Sequence, residues 1–299
     1  MSSSVASRSV ASRSAASRPT GSRPGAGRAR NRNGLTHAVL IIASLLMIFP
    51  FVWQILMSLA TNAQVTSVPP TVWPGTLHFE NFAHVFDQLP FLNQLWVSVA
   101  VTVIRTVGQL LLCSMAGYAF ARMEFPFRRT IFALVLAILM VPPQVYLLPQ
   151  YQIVQGLGWL NTIAGIAAPG IFSAFGTFMM RQFFLGLPDE LAEAARLDGA
   201  NHFQVFWKVM LPLAKPGLSA LAIITVLASW NDLLWPLIVA TDSTQMPLAP
   251  GIATLTSQRS IPDFPLLLAA SLLAMAPVLI LFLLMQRRVI DGIAFSGLK

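Results

Sequence analysis

The sequence of 299 residues is too hydrophobic for an ordinary soluble protein, because 56% of its residues are hydrophobic and only 10% are charged, against about 25% in typical soluble domains. The formal net charge of +8 raises the question of nucleic-acid binding, which the positions of the basic residues must decide. A single cysteine, Cys113, excludes a disulfide framework and a cysteine-based metal site. The four histidines are scattered, so the sequence predicts no metal site.

The first 35 residues are predicted to form a disordered basic tail. Residues 1–34 contain seven arginines and no acidic residue, and most of the others are serine, alanine, glycine and proline. Such a segment cannot bury enough apolar surface to offset the entropy lost on ordering. We interpret it as a solvated cytoplasmic tail that reinforces orientation in the membrane. Weak binding to anionic lipid and an organellar transit peptide are the alternatives.

Six apolar segments follow, and each approaches or exceeds the roughly 20 residues that a membrane-spanning helix needs. They cover residues 38–60, 95–121, 130–149, 161–180, 215–239 and 264–286. Pro142 and Pro143 interrupt the third segment, and Pro169-Gly170 predicts a kink in the fourth. The sequence therefore predicts an all-α membrane protein in which residues 36–299 form one domain of six transmembrane helices.

The basic residues predict the orientation of these helices, since cytoplasmic loops are enriched in lysine and arginine. With six spans, 17 of the 19 basic residues lie on one side. They lie in the N-terminal tail, in the loops after the second and fourth spans, and at the C-terminus. Both termini are therefore predicted to be cytoplasmic. The basic excess orients the protein and does not form a nucleic-acid patch.

A polar insert, residues 187–212, separates the fourth and fifth spans and is predicted to form two short helices. Pro188 suits a first helical turn, and three acidic residues follow it where the helix dipole favours negative charge. Gly199 is placed to end the first helix, and Asn201 to cap the second. We interpret the insert as a rigid cytoplasmic elbow that docks a partner. An amphipathic hairpin lying on the membrane surface is the alternative.

The two helices of the elbow are each predicted to carry an apolar face. Apolar residues recur in both helices at short spacings that approximate one helical face. These residues are Leu191, Ala194, Ala195 and Leu197 in the first helix, and Phe203, Phe206, Trp207 and Met210 in the second.

Polar residues near the outer end of the fifth span are candidates for the substrate pathway. Trp230, Asn231 and Asp232 combine an aromatic ring, an amide and a carboxylate, which is chemistry that suits a sugar. An ionisable group within a span is a functional hypothesis by default. The alternative, that Asp232 ties neighbouring helices together, is the one we favour. Arg105 lies deep in the second span and is predicted to face the bundle or a water-filled cavity. For this residue we favour a structural tie between helices over a contact with the substrate.

Small residues at Cys113, Gly117 and Ala121 recur every fourth position of the second span. Small residues at this spacing allow two membrane helices to approach closely. The sequence therefore predicts that this face of the span packs against a neighbouring helix.

The elbow also carries a specific resemblance. Glu193-Ala194-Ala195, three further residues, Gly199 and then Val209-Met210-Leu211-Pro212 resemble the coupling loop of ABC-type importer permeases. The wider sequence from Met180 to Pro216 looks like the carbohydrate branch, specifically the second permease subunit of maltose-type systems.

Two further motifs, in the expected order, strengthen this resemblance. Tyr118-Ala-Phe-Ala-Arg122 with Phe125-Pro126 resembles the family after its second span, and Trp230-Asn231-Asp232 resembles its fifth span. The likeness covers roughly residues 36–299.

The resemblance implies a subunit of an ATP-driven importer of sugars or oligosaccharides in a bacterial or archaeal plasma membrane. A second homologous permease would complete the pore, two cytoplasmic ATPase subunits would supply energy, and an extracytoplasmic sugar-binding protein would deliver the substrate. Glu193 would contact the ATPase cleft, Ala194 and Ala195 would pack against it, and Gly199 would form the turn. The implied ATPase-docking residues are Glu193, Ala194, Ala195, Asp198, Gly199, Leu211 and Pro212.

The chain is predicted to have no catalysis and no cofactor of its own. It contains no Gly-x-x-x-x-Gly-Lys-Ser/Thr loop for phosphate binding, so partner subunits would bind ATP. A membrane-embedded enzyme would need a cluster of titratable residues in the spans, where only Arg105 and Asp232 lie. A self-sufficient secondary transporter is the other alternative, which the absence of an inverted repeat makes less favourable.

Overall fold

The structure is a computed structural model that describes residues 27–69, 71–257 and 262–294. The chain divides into two compact units, Met1–Phe51 and Val52–Lys299. Within the described residues every regular element is a helix, which confirms the predicted all-α class.

Helix α1, Gly27–Ser58, contains the first predicted span and begins earlier than expected. Its part Thr36–Ser58 is long and apolar enough to cross a membrane. Residues 27–35, predicted as the end of a disordered tail, are helical. The physical reason is that an existing helix gains one hydrogen bond for each residue it adds, which extends α1 through this segment although its two glycines and two asparagines are poor helix formers. The prediction for residues 1–26 lies outside the described residues.

Two short helices precede the second span. Helix α2, Asn62–Val65, begins at a capping box in which Thr61 and Gln64 satisfy each other's backbone N–H groups. Helix α3, Glu80–Gln88, buries Val85. Helix α4, Phe91–Arg122, then confirms the predicted second span.

The third and fourth predicted spans are both bent. Helix α5, Arg128–Ile138, is followed by a 3-10 turn, Pro143–Tyr146, and by helix α6, Leu147–Gly156, and the two arms meet at 95°. The bend falls at the proline pair, since proline cannot donate a helical hydrogen bond. Helices α7, Ile163–Ala167, and α8, Ala174–Leu185, flank a 3-10 turn at Ala168–Gly170. Their bend of 44° confirms the predicted kink.

The elbow follows α8 and leads into the fifth span. It contains helix α9, Asp189–Leu197, helix α10, His202–Val205, a π-helical segment, Phe206–Met210, and helix α11, Leu211–Leu213. Helix α12, Lys215–Trp230, then begins after a bend of 76°.

The fifth span is shorter than predicted, and the continuous helix expected over residues 215–239 is wrong. Helix α12 ends at Trp230, and helix α13, Leu234–Val239, begins after a break. Asn231 donates its side-chain N–H to the carbonyl of Leu227 and so ends the helix. Helix α14, Leu248–Ser257, and helix α15, Phe264–Ala294, complete the described chain.

Among the described residues, three helices are each long and apolar enough to cross a membrane: α1, α4 and α15. Three bent pairs of helices are also long and apolar enough when each pair is taken as one span, so the described residues contain up to six crossings.

Helix α4 is the central element of the unit Val52–Lys299, where it packs against α7, α8, α12 and α14. Cys113 and Gly117 face α8, as the small-residue spacing predicts. A Cβ atom added at Gly117 would lie 2.8 Å from the backbone nitrogen of Arg181 and from the Cβ of Met180. The close packing of α4 on α8 therefore requires glycine at this position.

Candidate functional site

The elbow is seated on α4 and α8 by three aromatic rings. The ring of Tyr118 in α4 lies 5.5 Å from that of Phe184 in α8 and 5.1 Å from that of Phe206 in the elbow, centroid to centroid. All three residues are buried, together with Val205 and Met210 of the elbow. Aromatic contacts at these distances stabilise beyond simple burial. The second arm of the elbow, which comprises α10, the π-helical segment and α11, is therefore part of the core.

Arg122, the last residue of α4, holds the start of the elbow. Its guanidinium donates to the carbonyl of Phe184 at 2.6 and 3.1 Å and also to the carbonyl of Leu187. It forms an ion pair with Asp189, the first residue of α9. These carbonyls lie at and just beyond the C-terminal end of α8, where helical partners run out. One side chain thus joins the end of the second span to the entry of the elbow.

The turn between α9 and α10 has the geometry that the sequence predicts. Gly199 adopts a φ of +84°, a conformation that side chains other than glycine and asparagine rarely take. Asn201 caps α10, with its side chain accepting from the N–H of Gln204 at 2.8 Å and its own N–H donating to the Gln204 side chain at 3.0 Å. Both ends of the turn are therefore defined by local hydrogen bonds and backbone conformation.

The residues predicted to dock the ATPase lie mostly on the surface of the elbow. Glu193, Ala194, Asp198, Gly199 and Pro212 are exposed, whereas Ala195 and Leu211 are half-buried. These seven residues thus share the elbow without forming one continuous exposed face.

The two apolar faces predicted for the elbow are only partly right. On α9 the buried residue is Ala192, whereas Leu191 and Leu197 point outward and Leu197 is 90% exposed. In the second arm Phe206 and Met210 are buried, but Phe203 and Trp207 are exposed. The short side chain of Ala192 allows α9 to lie close to the core, which leaves larger apolar residues on the outside.

Arg105 and Asp232, the two ionisable residues that the sequence places inside the spans, form an ion pair. The Nη1 of Arg105 lies 2.7 Å from the Oδ2 of Asp232, and Nη2 donates to the carbonyl of Ile166 at 2.7 Å. Gly170 lies against the guanidinium, since an added Cβ would come within 2.5 Å of Nε. The pair ties α4, the fourth span and the break after α12 together.

The three predicted pathway residues do not converge on one point. Trp230 donates from its indole N–H to the carbonyl of Ala274 in α15 at 3.2 Å. Asn231 is exposed and bonds within its own helix, and Asp232 faces Arg105. The geometry thus gives each of them a different partner, and a role in contacting substrate stays a prediction.

A row of polar side chains along α4 is a feature that inspection of single motifs missed. Gln109 donates to the carbonyl of Gly170 at 2.8 Å and accepts from the hydroxyl of Thr225 in α12 at 2.9 Å. Ser98 accepts from the N–H of Leu248 at 2.7 Å. The row occupies one face of the helix at spacings of three and four, and its members are Gln94, Ser98, Thr102, Arg105, Gln109 and Cys113.

A cavity of about 360 Å³ lies between α4, α12 and α15. Its wall is mainly apolar and includes the ring of Trp230. Two threonine side chains of α4, Thr102 and Thr106, also line it, and neither buried hydroxyl has a hydrogen-bond partner among the described residues.

Away from the elbow, two segments, one before the second span and one after α13, carry carboxylates that accept hydrogen bonds. The side-chain oxygen of Asn161 accepts from the N–H groups of Thr241 and Asp242 at 2.7 and 2.9 Å. A hydrogen bond from the backbone N–H of Thr244 lowers the pKa of Asp242, and a bond from His78 lowers the pKa of Glu80. Both hydrogen bonds thus favour the ionised form of the carboxyl group. Within residues 27–69, 71–257 and 262–294 no group of three potential metal ligands occurs.

Comparison with known proteins places these features in a family. The family of binding-protein-dependent transport system inner membrane components matches residues 109–294 of the chain. This segment contains the elbow, Asp232 and the seat of the elbow on α4 and α8.

Curated relatives extend the similarity over most of the chain. The sn-glycerol-3-phosphate transport system permease protein UgpE of Yersinia enterocolitica is 35% identical over 276 residues, which are 89% of this chain and 98% of that protein. The arabinooligosaccharides transport system permease protein AraQ of Halalkalibacterium halodurans is 39% identical over 231 residues, which are 76% of this chain and 81% of that protein.

Solved structures share the fold. A chain from the crystal structure of a bacterial ABC transporter involved in the import of the acidic polysaccharide alginate matches with a TM-score of 0.72 and 24% identity. The match covers 89% of this chain and 99% of that one. Because the family pattern spans more than half of the sequence and the relatives match it over most of their length, the chain belongs to the family of binding-protein-dependent transport system inner membrane components.

Proposed function

We propose that this chain is one of two permease subunits that together enclose the pathway of an ATP-driven importer of sugars or oligosaccharides. Family membership supports the permease role. The names of its relatives support the solute class, since UgpE is named for sn-glycerol-3-phosphate and AraQ for arabinooligosaccharides. Both solutes carry hydroxyl groups, as sugars do.

The elbow is proposed to lie in the cytoplasm and to dock an ATPase subunit. The distribution of basic residues supports the orientation, because 17 of 19 fall on the elbow's side when six spans are counted. The observation that carries the docking role is the construction of the elbow. Glu193 and Ala194 are exposed on α9, while Phe206 on the second arm is buried against Tyr118 of α4.

Such a construction can transmit motion. An ATPase that moves α9 would also move α4 and α8, because Arg122 and the three packed rings connect the elbow to both helices. ATP binding and hydrolysis are assigned to partner subunits, and this chain itself is proposed to be non-catalytic. A second permease and an extracytoplasmic sugar-binding protein complete the proposed importer. A related structure of an alginate transporter includes a periplasmic protein, which supports the last of these partners.

The proposal is tested with Glu193→Lys in the complete importer reconstituted into vesicles. Reversal of this exposed charge should uncouple ATP hydrolysis from transport. Solute uptake should then fall at least tenfold while the chain remains assembled in the membrane. The measurement is solute uptake and solute-stimulated ATP hydrolysis in the same vesicles.

Glu124→Lys is the matched control, because Glu124 is also exposed near the end of α4 that holds Arg122 but lies outside the elbow. It should leave the ratio of uptake to ATP hydrolysis unchanged. A Glu193→Lys importer with normal solute-stimulated hydrolysis and normal uptake would rule out docking through this residue.

A further inference from the structure

We propose that Arg128 and Arg129 at the start of α5, together with Arg181 of α8, form a binding site for the phosphate group of an anionic phospholipid. The site lies on the same end of the bundle as the elbow, between α4, α5 and α8. The site does not depend on which solute is transported. The proposed orientation of the chain places the site at the cytoplasmic leaflet.

The site is a cavity of about 240 Å³ lined by Arg128, Arg129 and Arg181 together with Phe120 and Phe132. It is much larger than the roughly 10–15 Å³ of such space that a single water molecule requires. It therefore has room for a phosphate group and its ester oxygens.

Two of the arginines are held in place by the protein. The Nε of Arg181 donates to the carbonyl of Phe120 at 3.3 Å, and its guanidinium carbon lies 4.4 Å from the centroid of the Phe132 ring. The Nη1 of Arg128 donates to the carbonyl of Met123 at 2.8 Å. Each of these bonds leaves other N–H donors of the guanidinium available.

Positive charge exceeds negative charge around this cavity, since Glu124, which lies beside Arg128 and Arg129 in an adjoining pocket, is one carboxylate against three arginines. In the part of the chain that the structure describes, none of the ion pairs involves Arg128, Arg129 or Arg181. Three cations that line one small cavity repel each other, and an anion between them removes that repulsion. Guanidinium groups bind phosphate oxygens with two parallel hydrogen bonds, which makes phosphate the anion that this geometry fits.

The surface next to the cavity favours a lipid over free phosphate. Ile131, Leu134 and Ile138 follow the arginines on α5 at spacings of three and four, and each is between 42% and 64% exposed. They form an apolar stripe that leads away from the cavity along a candidate membrane span. A phospholipid can place its phosphate among the arginines and an acyl chain along this stripe, whereas inorganic phosphate makes no use of the stripe. Basic pockets at the cytoplasmic ends of membrane helices bind lipid headgroups in this manner.

The test uses the full chain in its assembled importer, purified in mild detergent with equal amounts of phosphatidylglycerol and phosphatidylcholine. Native mass spectrometry then counts the lipids that stay bound. The complex should retain phosphatidylglycerol in preference to phosphatidylcholine. Arg129→Gln should lower this retention about fivefold, which is the factor that corresponds to about 1 kcal/mol for one arginine near an anionic surface. Arg129 is exposed, so its replacement leaves the packing unchanged.

Arg196→Gln is the matched control, since it removes an exposed arginine of α9 that does not line the cavity. It should leave phosphatidylglycerol retention unchanged. Equal losses in the two variants, or retention without headgroup preference, would overturn the site. A further arm adds excess inorganic phosphate: release of the bound phosphatidylglycerol would show that the site takes any phosphate and would overturn the lipid assignment. Retention of the lipid in that arm supports it.

Discussion

Arg105 and Asp232 show how a membrane protein can carry ionisable residues inside its spans. An isolated charge in hydrocarbon is costly, but here the carboxylate lies 2.7 Å from the guanidinium, whose other nitrogen bonds to the carbonyl of Ile166. Only 8% of the Arg105 side chain and 23% of the Asp232 side chain are exposed. Removal of one partner from such a pair leaves an uncompensated charge, which is the main energetic effect of breaking it.

We therefore expect Asp232→Asn and Arg105→Gln each to lower the thermal stability of the chain. The double variant should lose about 1–3 kcal/mol less than the sum of the two single variants, because residues in contact couple by such amounts. Asp232→Asn should still support uptake, at a lower rate and with unchanged solute selectivity. Thermal unfolding of the four proteins in one detergent measures the coupling.

Asp87→Asn provides the comparison for this cycle, since Asp87 is 70% exposed and pairs with His84 at the surface. It should change stability by less than about 1 kcal/mol, as surface pairs usually do. Strictly additive losses for the Arg105 and Asp232 variants would show that the pair does not act as a unit. A changed solute selectivity of Asp232→Asn would instead assign this carboxylate to the pathway.

At the scale of elements, the elbow is built from two arms with different environments. The second arm is embedded in the core through Val205, Phe206 and Met210. The first arm, α9, is mostly exposed and is held at its entry by Arg122. The exposed surface of α9 is therefore available to a partner, and the hydrogen bonds of Arg122 maintain its position.

We expect Arg122→Ala to destabilise the chain by about 1–3 kcal/mol, because it removes the charged donor that the carbonyls of Phe184 and Leu187 share. Asp189→Asn should cost less than about 1 kcal/mol, since Asp189 is 75% exposed and contributes only a surface ion pair. Thermal unfolding measures both, and cysteine crosslinking between α9 and α4 reports whether the elbow has moved. Equal destabilisation by the two variants would show that the ion pair, and not the carbonyl contacts, holds α9.

At the scale of the whole molecule, the proposed topology puts the elbow and the segment between α1 and α3 on opposite sides of the membrane. The sequence contains one cysteine, and Cys113 is buried. Single cysteines introduced elsewhere can therefore be labelled with little background.

We expect a membrane-impermeant maleimide to label Val72→Cys in intact cells and Leu197→Cys only in inside-out vesicles stripped of peripheral proteins. Both positions are highly exposed, at 70% and 90%, so the difference reports the side of the membrane and not burial. Denatured protein serves as the control for full reactivity at each site. Labelling of Leu197→Cys from outside the cell would reverse the proposed orientation and remove the elbow from the ATPases.

Much of this molecule follows from local sequence. The apolar segments predict helices because a backbone in lipid must satisfy its own hydrogen bonds. Gly199 and Asn201 predict the turn of the elbow, and Pro169-Gly170 the kink between α7 and α8, because each acts through its own backbone conformation or hydrogen-bonding capacity. The early start of α1 and the break at Asn231 were missed, since helix ends depend on weak local preferences.

The contacts between distant segments were decided by the tertiary structure alone. Sequence inspection identified Arg105 and Asp232 separately, but 127 positions separate them, and only the packing of α4 against the break after α12 brings them together. The cavity with three arginines likewise forms only because α5 and α8 lie side by side. The hydrogen bonds of Arg122 form only because the end of α8 lies beside the end of α4. Periodicity determines which face of a helix is apolar, whereas the partner of a polar side chain depends on which helix packs against that face.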